Sequence, residues 1–153
     1  MDIDERSWET IAADSVLMNA VSSWRKDPEK WLENSIDRLD ETVRVNPLRD
    51  DIEWVENWLQ EIGAIKIEWF TGVGSAWTLP FPRGKAEGDV KIILAALHET
   101  GRLTRQEAVS MIPAIVLDAK PGDLVLDMCA SPGSKTTQIA EHLEGRGIVM
   151  ANE

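Results

Sequence analysis

The sequence has 153 residues, with 27 Asp+Glu against 16 Lys+Arg and a formal net charge of −11. That length suits one domain or two small ones, and 43% hydrophobic content excludes a disordered chain. A single cysteine, Cys129, excludes an internal disulfide framework and any multi-cysteine zinc site, and with only His98 and His142 beside it no metal centre is expected. The N-terminus is acidic where a secretory signal is basic. The longest apolar runs, 92–97 and 112–117, fall far short of the ~20 residues of a membrane span. A cytoplasmic, soluble protein is therefore expected, with no membrane partner. The acidity is concentrated in residues 1–61, which hold 16 acids and 7 bases. Such a surface disfavours non-specific nucleic-acid binding but leaves room for a local basic patch.

In chain order, residues 7–22 predict a weak helix. Asp27-Pro28 then places a capping carboxylate before a proline at the first helical position. The apolar stripe Trp31, Leu32, Ile36 and Leu39 predicts a helix running to about Asp40. Residues 42–46 alternate and are β-rich, so a short strand follows. Asp50 and Glu53 have capping-box spacing ahead of a helix carrying Ile52, Val55, Trp58, Leu59 and Ile62, with Gly63 as its stop. Residues 64–70 and 76–79 read as strands around a turn at 71–74. Two prolines and two glycines make 80–88 the most linker-like stretch. A helix over 89–99 and a brief extended piece at Leu103 come next. In 106–117 the apolar spacing is helical, but Pro113 demands a kink or a restart.

The last 33 residues carry the functional signal. A strand at 124–128 leads into the small-residue loop Cys129-Ala130-Ser131-Pro132-Gly133-Ser134, then a helix over 135–143 and a strand at 148–151, with Glu153 just beyond. Strand, small-residue loop, helix, strand and acid form half of a nucleotide-binding α/β fold. The helix start offers free N–H groups to an anionic ligand. Glu153 lies 20 residues after Gly133, the separation of a ribose-holding acid. A Gly-x-Gly-x-x-Gly fingerprint is absent, and Ser134 interrupts the Gly-Lys pair a P-loop needs. A ligand with ribose and adenine but no pyrophosphate, such as S-adenosylmethionine, fits best. Another nucleotide, or a βαβ unit without ligand, remains open on the pattern alone.

At 125–138, Val-Leu-Asp-Met-Cys-Ala-Ser-Pro-Gly-Ser-Lys-Thr-Thr-Gln, the sequence resembles the cofactor-binding motif of the Sun family of RNA cytosine-5 methyltransferases. Residues 101–113 resemble the segment that precedes that motif, and Arg44-Val45-Asn46-Pro47-Leu48-Arg49 resembles the start of the family's small RNA-binding module. The branch it most resembles modifies tRNA. The resemblance implies a division into N-terminal helices (1–41), a small α+β RNA-binding-type module (42–81), and a linker with the first part of a class I, Rossmann-like methyltransferase domain (82–153). It implies S-adenosylmethionine as cofactor, held by Cys129, Ala130, Ser131, Pro132, Gly133, Ser134 and Lys135, with its ribose at Glu153. RNA rather than DNA is the implied partner. Ser131 departs from the alanine usual in the family; a hydroxyl is small enough to be tolerated there.

The family's chemistry adds a cysteine thiolate to cytosine C6 so that C5 can take the methyl group. Cys129 matches the loop cysteine of the family and neither catalytic one, so no catalytic residue is expected in these 153 residues. Cys129 is expected to be a buried packing residue. With two strands of a larger sheet, the chain is expected to leave apolar faces uncovered, to be marginal, self-associating or a piece of a longer protein, and to be inactive alone. Arg44, Arg49, Lys66, Arg83, Lys85, Lys91, Arg102 and Arg105 are candidates for a phosphate-binding face. Trp69, Phe70 and Trp77 can stack bases, although core packing is the simpler expectation. Trp31, Trp54 and Trp58 are expected to pack, and His142 to lie beside an exposed helix face.

Overall fold

The protein, seen in a computed structural model, is described over residues 15–36 and 39–153. It divides into two compact units, Met1–Leu39 and Asp40–Glu153. In the first, helix α1 (Val16–Ser22) starts where the Ser15 hydroxyl accepts a hydrogen bond from the Met18 N–H at 3.3 Å. Helix α2 (Pro28–Ile36) begins after Asp27, whose carbonyl accepts from the Trp31 N–H. Trp24 and Trp31 meet edge to face, 6.3 Å between ring centroids. The expected helical residues 7–14 lie outside the described residues. The second helix does not run to Asp40, because Asp40 opens the next unit's first strand.

That unit begins with an antiparallel sheet: β1 (Asp40–Val45), β2 (Ile65–Lys66), β3 (Ser75–Pro82) and β4 (Leu103–Arg105), in the order β2-β3-β1-β4. Helices α3 (Ile52–Glu61) and α4 (Gly88–Glu99) supply its apolar cover. Val55, Trp58 and Leu59 of α3 and Leu94 and Leu97 of α4 form one core with Val43, Val45, Trp77, Leu79 and Leu103. β1 is buried on both faces from Glu41 to Val45. Its Val43 and Val45 face this core, so the alternation of a strand sends Thr42 and Arg44 to the opposite side.

Several elements differ from the sequence expectation. α3 starts at Asp51, whose side chain makes no capping bond; its carboxylate accepts from Arg102 Nε at 2.6 Å, and the Asp50–Glu53 box is not the start. Gly63 does follow the helix at φ +84°, a left-handed position that favours glycine. The strand expected over 64–70 is two residues long, because the Phe70 N–H turns back onto the Ile67 carbonyl. β3 runs into the supposed linker. Beyond Trp77 and Thr78 it has no β2 partner, and Pro80 and Pro82 sit where no N–H is demanded. The small sheet also takes β4, and part of its core, from residues beyond 82.

The segment expected to kink at Pro113 restarts. A 3-10 turn (Ala108–Met111), capped by Glu107, gives way to α5 (Ile112–Leu117), with Pro113 in its first turn, where a missing N–H costs nothing. Then β5 (Leu124–Asp127), α6 (Ser134–His142) and β6 (Ile148–Ala151) form a parallel βαβ unit. Val125 and Val149 pack under Ile139 of α6 and Leu143 just after it, with Ala114 and Ala119. On the other face Leu124, Leu126, Ile148 and Met150 are exposed, the uncovered apolar surface expected of two strands from a larger sheet. The architecture is mixed α/β with Rossmann-like alternation preceded by extra helices and strands. Among the described residues no helix is long and apolar enough to cross a membrane.

Candidate cofactor site

Because β5 and β6 are parallel, the loops that follow them emerge at the same edge of the sheet, where α/β folds bind ligands. The loop after β5 is tied by the last residue of that strand. Asp127 accepts from the Cys129 N–H at 3.2 Å with one carboxylate oxygen and from the Thr136 hydroxyl at 2.7 Å with the other. One acid thus fixes both the start of the loop and the first turn of α6. Gly133 ends the loop at φ +102°, ψ 0°, and no side chain caps the helix. A Cβ there would meet nothing within 4 Å, and the first N–H groups of α6 have no side-chain cap.

Cys129, Ser131 and Pro132 are exposed; Ala130, Gly133 and Ser134 are half-buried; Lys135 is exposed. The loop is not filled by neighbouring side chains. Glu153 is exposed and follows Asn152, whose carbonyl accepts from the Ala130 N–H at 3.0 Å and whose side-chain amide donates to the Met128 carbonyl. The predicted loop and the predicted acid are therefore joined through one residue. Cys129 is not the buried packing residue expected: no layer covers the loop, and its thiol faces outward. Asp127 and Asn152 were not singled out by the sequence pattern. The signal for Asp127 is its place as the acid closing an apolar strand.

Behind α6 lies a buried polar cluster. Arg44, fully buried, donates from Nη1 to Glu141, from Nε to Gln106 at 3.1 Å, and from Nη2 to Thr137 Oγ1 at 3.3 Å and the Ser134 carbonyl at 3.5 Å. Gln106 in turn donates to Gln138 Oε1 and the Ser110 carbonyl, and Gln138 donates to the Met111 carbonyl. Burial lowers the Arg44 pKa to about 10, so it stays charged at neutral pH. Arg44 is thus no phosphate ligand, because its face of β1 is covered.

The other predicted bases divide. Arg102 pairs with Asp51, and Arg105 pairs with the buried Glu41. Arg83, Lys85 and Lys91 are exposed and form no ion pair among the described residues. Lys91 and Arg105 line a cleft of about 220 Å³ beside Gly84 and Ala86. Of the aromatics, Trp77 is core, with its Nε1 donating to Ser75 Oγ at 2.8 Å, whereas Trp69 is exposed. Trp58 packs as expected; Trp54 does not, and is about half exposed.

His142 is buried, not beside an exposed face, and its Nε2 finds no partner among the described residues. Desolvation, aided by the nearby Arg44 charge, lowers its pKa below the usual value. Its folded pKa is below its unfolded one, so the unfolded chain takes up a proton first as pH falls. Stability should hold above about pH 6.5 and decline below it, toward the depressed folded value. His142→Asn should flatten urea midpoints between pH 7 and 5; an unchanged slope would mean the ring is solvated. Asp51, held low by its bond from Arg102, acts only in a separate window below the ordinary carboxylate range.

The βαβ unit has the alternating topology of a class I methyltransferase fold. A family model described as 16S rRNA methyltransferase RsmB/F matches residues 114–153. The tRNA (cytosine(49)-C(5))-methyltransferase of Pyrococcus abyssi is 36% identical over 118 residues, covering 73% of this chain and 34% of that protein. The multisite-specific tRNA:(cytosine-C(5))-methyltransferase of Saccharomyces cerevisiae is 48% identical over 88 residues, covering 51% of this chain and 13% of that protein. The crystal structure of PH0851 superposes with a TM-score of 0.71 at 27% identity, over 97% of this chain and 33% of that one. Residues 114–153 thus match the RsmB/F family model, and most of the chain is similar to part of longer proteins named as tRNA cytosine-C(5) methyltransferases. The chain spans about a third of the length of the first relative.

Proposed function

We infer that this chain is the methyl-donor-binding and RNA-facing part of an S-adenosylmethionine-dependent RNA methyltransferase that forms 5-methylcytosine on tRNA. The observation that carries this reading is the open, Asp127-tied loop ending in left-handed Gly133, set beside Glu153 at one edge of a parallel sheet. The loop residues 129–135 hold the amino-acid end of the donor through backbone N–H groups, and Glu153 accepts from its ribose hydroxyls. When bound, S-adenosylmethionine supplies an electrophilic methyl group. Asp127 keeps the loop and the start of α6 in fixed relation, so the N–H groups are aimed before the ligand arrives. Arg83, Lys85 and Lys91 face substrate phosphates, with Lys91 lining the cleft beside Gly84. The division of the chain follows: N-terminal helices, an RNA-binding module including α4 and β4, and the start of the methyltransferase domain.

Cys129, the single thiol, lies in the donor loop and is not the nucleophile that activates cytosine. The chain alone therefore binds the methyl donor without transferring from it. That observation equally favours a second reading, a non-catalytic RNA- or cofactor-binding fragment on the same scaffold. Self-association through Leu124, Leu126, Ile148 and Met150, and a cytoplasmic setting, belong to both.

Calorimetric titration with S-adenosylmethionine should give saturable binding. Asp127→Asn, which can accept only one of its two bonds, should weaken it roughly tenfold, the equivalent of one charge-assisted hydrogen bond at ~1.5 kcal/mol. Saturable ATP binding without any response to the methyl donor would overturn the assignment.

A further inference from the structure

The polar cluster behind α6 is not used by the cofactor reading, and its members come from segments far apart in sequence. Arg44 belongs to β1 of the antiparallel sheet; Ser134, Thr137 and Glu141 belong to the helix that opens at the donor loop. We propose that Arg44 is a positioning residue that locks the first turn of α6, and with it the donor loop, to the RNA-facing sheet. This rests on the proposed function for its consequence and on geometry alone for its mechanism.

The first turn of α6 is held from two sides. On the loop side, Asp127 takes the Thr136 hydroxyl. On the opposite side, Arg44 Nη2 reaches both the carbonyl of Ser134, the first residue of the helix, and the hydroxyl of Thr137. The same guanidinium holds Glu141 two turns further on and Gln106 at the exit of β4. A planar fork with donors in several directions can serve all these acceptors at once, and an ammonium cannot.

Gln106 extends the lock. Its backbone N–H donates to the Thr42 carbonyl, and its own carbonyl accepts from the Thr42 hydroxyl at 2.6 Å. Its side-chain amide reaches Gln138 on the buried face of α6. The edge of the sheet and the helix under the loop therefore share one continuous set of hydrogen bonds. A tilt of the sheet strands is transmitted to the helix start, where the N–H groups for the methyl donor stand.

Arg44→Lys keeps the charge and the partner for Glu141 while losing the fork to Ser134, Thr137 and Gln106. It should remain folded, raise amide exchange across 129–137 by about tenfold, and weaken S-adenosylmethionine binding by a similar factor. Thr137→Val, which removes one exposed acceptor, should move both readouts the same way by about threefold and covers the case in which Arg44→Lys does not fold. Leu59→Ala, in the core on the far side of the sheet, should lower thermal stability yet leave the exchange of 129–137 and the affinity within twofold. If the Arg44→Lys or Thr137→Val protein exchanges and binds like wild type, or if Leu59→Ala loosens the loop equally, the lock is refuted. If wild type shows no binding of the methyl donor, the proposed function fails, while the exchange measurements still decide the lock.

Discussion

Replacing Glu141 with alanine should lower the unfolding free energy by about 3–5 kcal/mol. Arg44 is fully buried and Glu141 is 5% exposed, so removing the carboxylate leaves a guanidinium without a counter-charge in a desolvated place. An arginine does not give up its proton in this range, so the charge has no easy escape at pH 7. Against a total margin of ~5–15 kcal/mol, that loss is a large fraction of what holds the protein folded. The double replacement Arg44→Met with Glu141→Leu should recover much of it, because two apolar side chains of similar size need no mutual compensation. Urea denaturation of the two single variants and the double variant forms a mutant cycle. A Glu141→Ala protein within 1 kcal/mol of wild type would show that water reaches the pair.

Trp77→Ala should cost about 3–5 kcal/mol, the range for removing a large aromatic from a packed core. Trp77 is 3% exposed at the centre of the antiparallel sheet, paired with Val43 on one side and Lys66 on the other. Its indole N–H donates to Ser75, whose hydroxyl donates to Glu56, so the variant also frees Ser75 Oγ of one partner. If Trp77 acted by stacking on a base, the variant would keep its thermal midpoint and lose RNA affinity. The buried position requires the reverse: a fallen midpoint, with RNA affinity per folded molecule unchanged. Under the proposed function, Trp69, exposed on the turn after β2, is the aromatic left available to stack on a base, and its replacement should lower RNA affinity without changing stability.

How much was legible depended on whether the signal was local. The strand, loop, helix and strand over 124–151 fall within a residue or two of their predicted bounds, because an apolar run, a proline-glycine loop and glycine stops each act through near neighbours. Pro113 correctly marked a restart, since the lack of an N–H is a property of that residue alone. The Asp50–Glu53 box does not start α3: the helix instead begins one residue later, after Asp51, whose carboxylate is taken by Arg102, 51 residues away, so neither acid caps it through its side chain. The strand over 64–70 failed because β-propensity says nothing about where the ladder partner ends.

Arg44 is the clearest case of the second kind. In sequence it is one base in a basic motif beside Arg49, and its charge points to phosphate. In the fold, strand alternation turns it away from the core containing Val43 and Val45, toward a face that α6 then covers. Only the meeting of residues 97 positions apart made it an internal ion-pair partner instead of an RNA contact. His142 and Cys129 were misjudged for the same reason, one covered and one left open by layers that no local pattern names. The sequence by itself determined the order of elements, the small-residue loop and the acid after β6, because turn chemistry and periodicity are short-range. Tertiary structure decided which charges are buried and what aims the loop, because burial is set by surfaces brought together from distant parts of the chain.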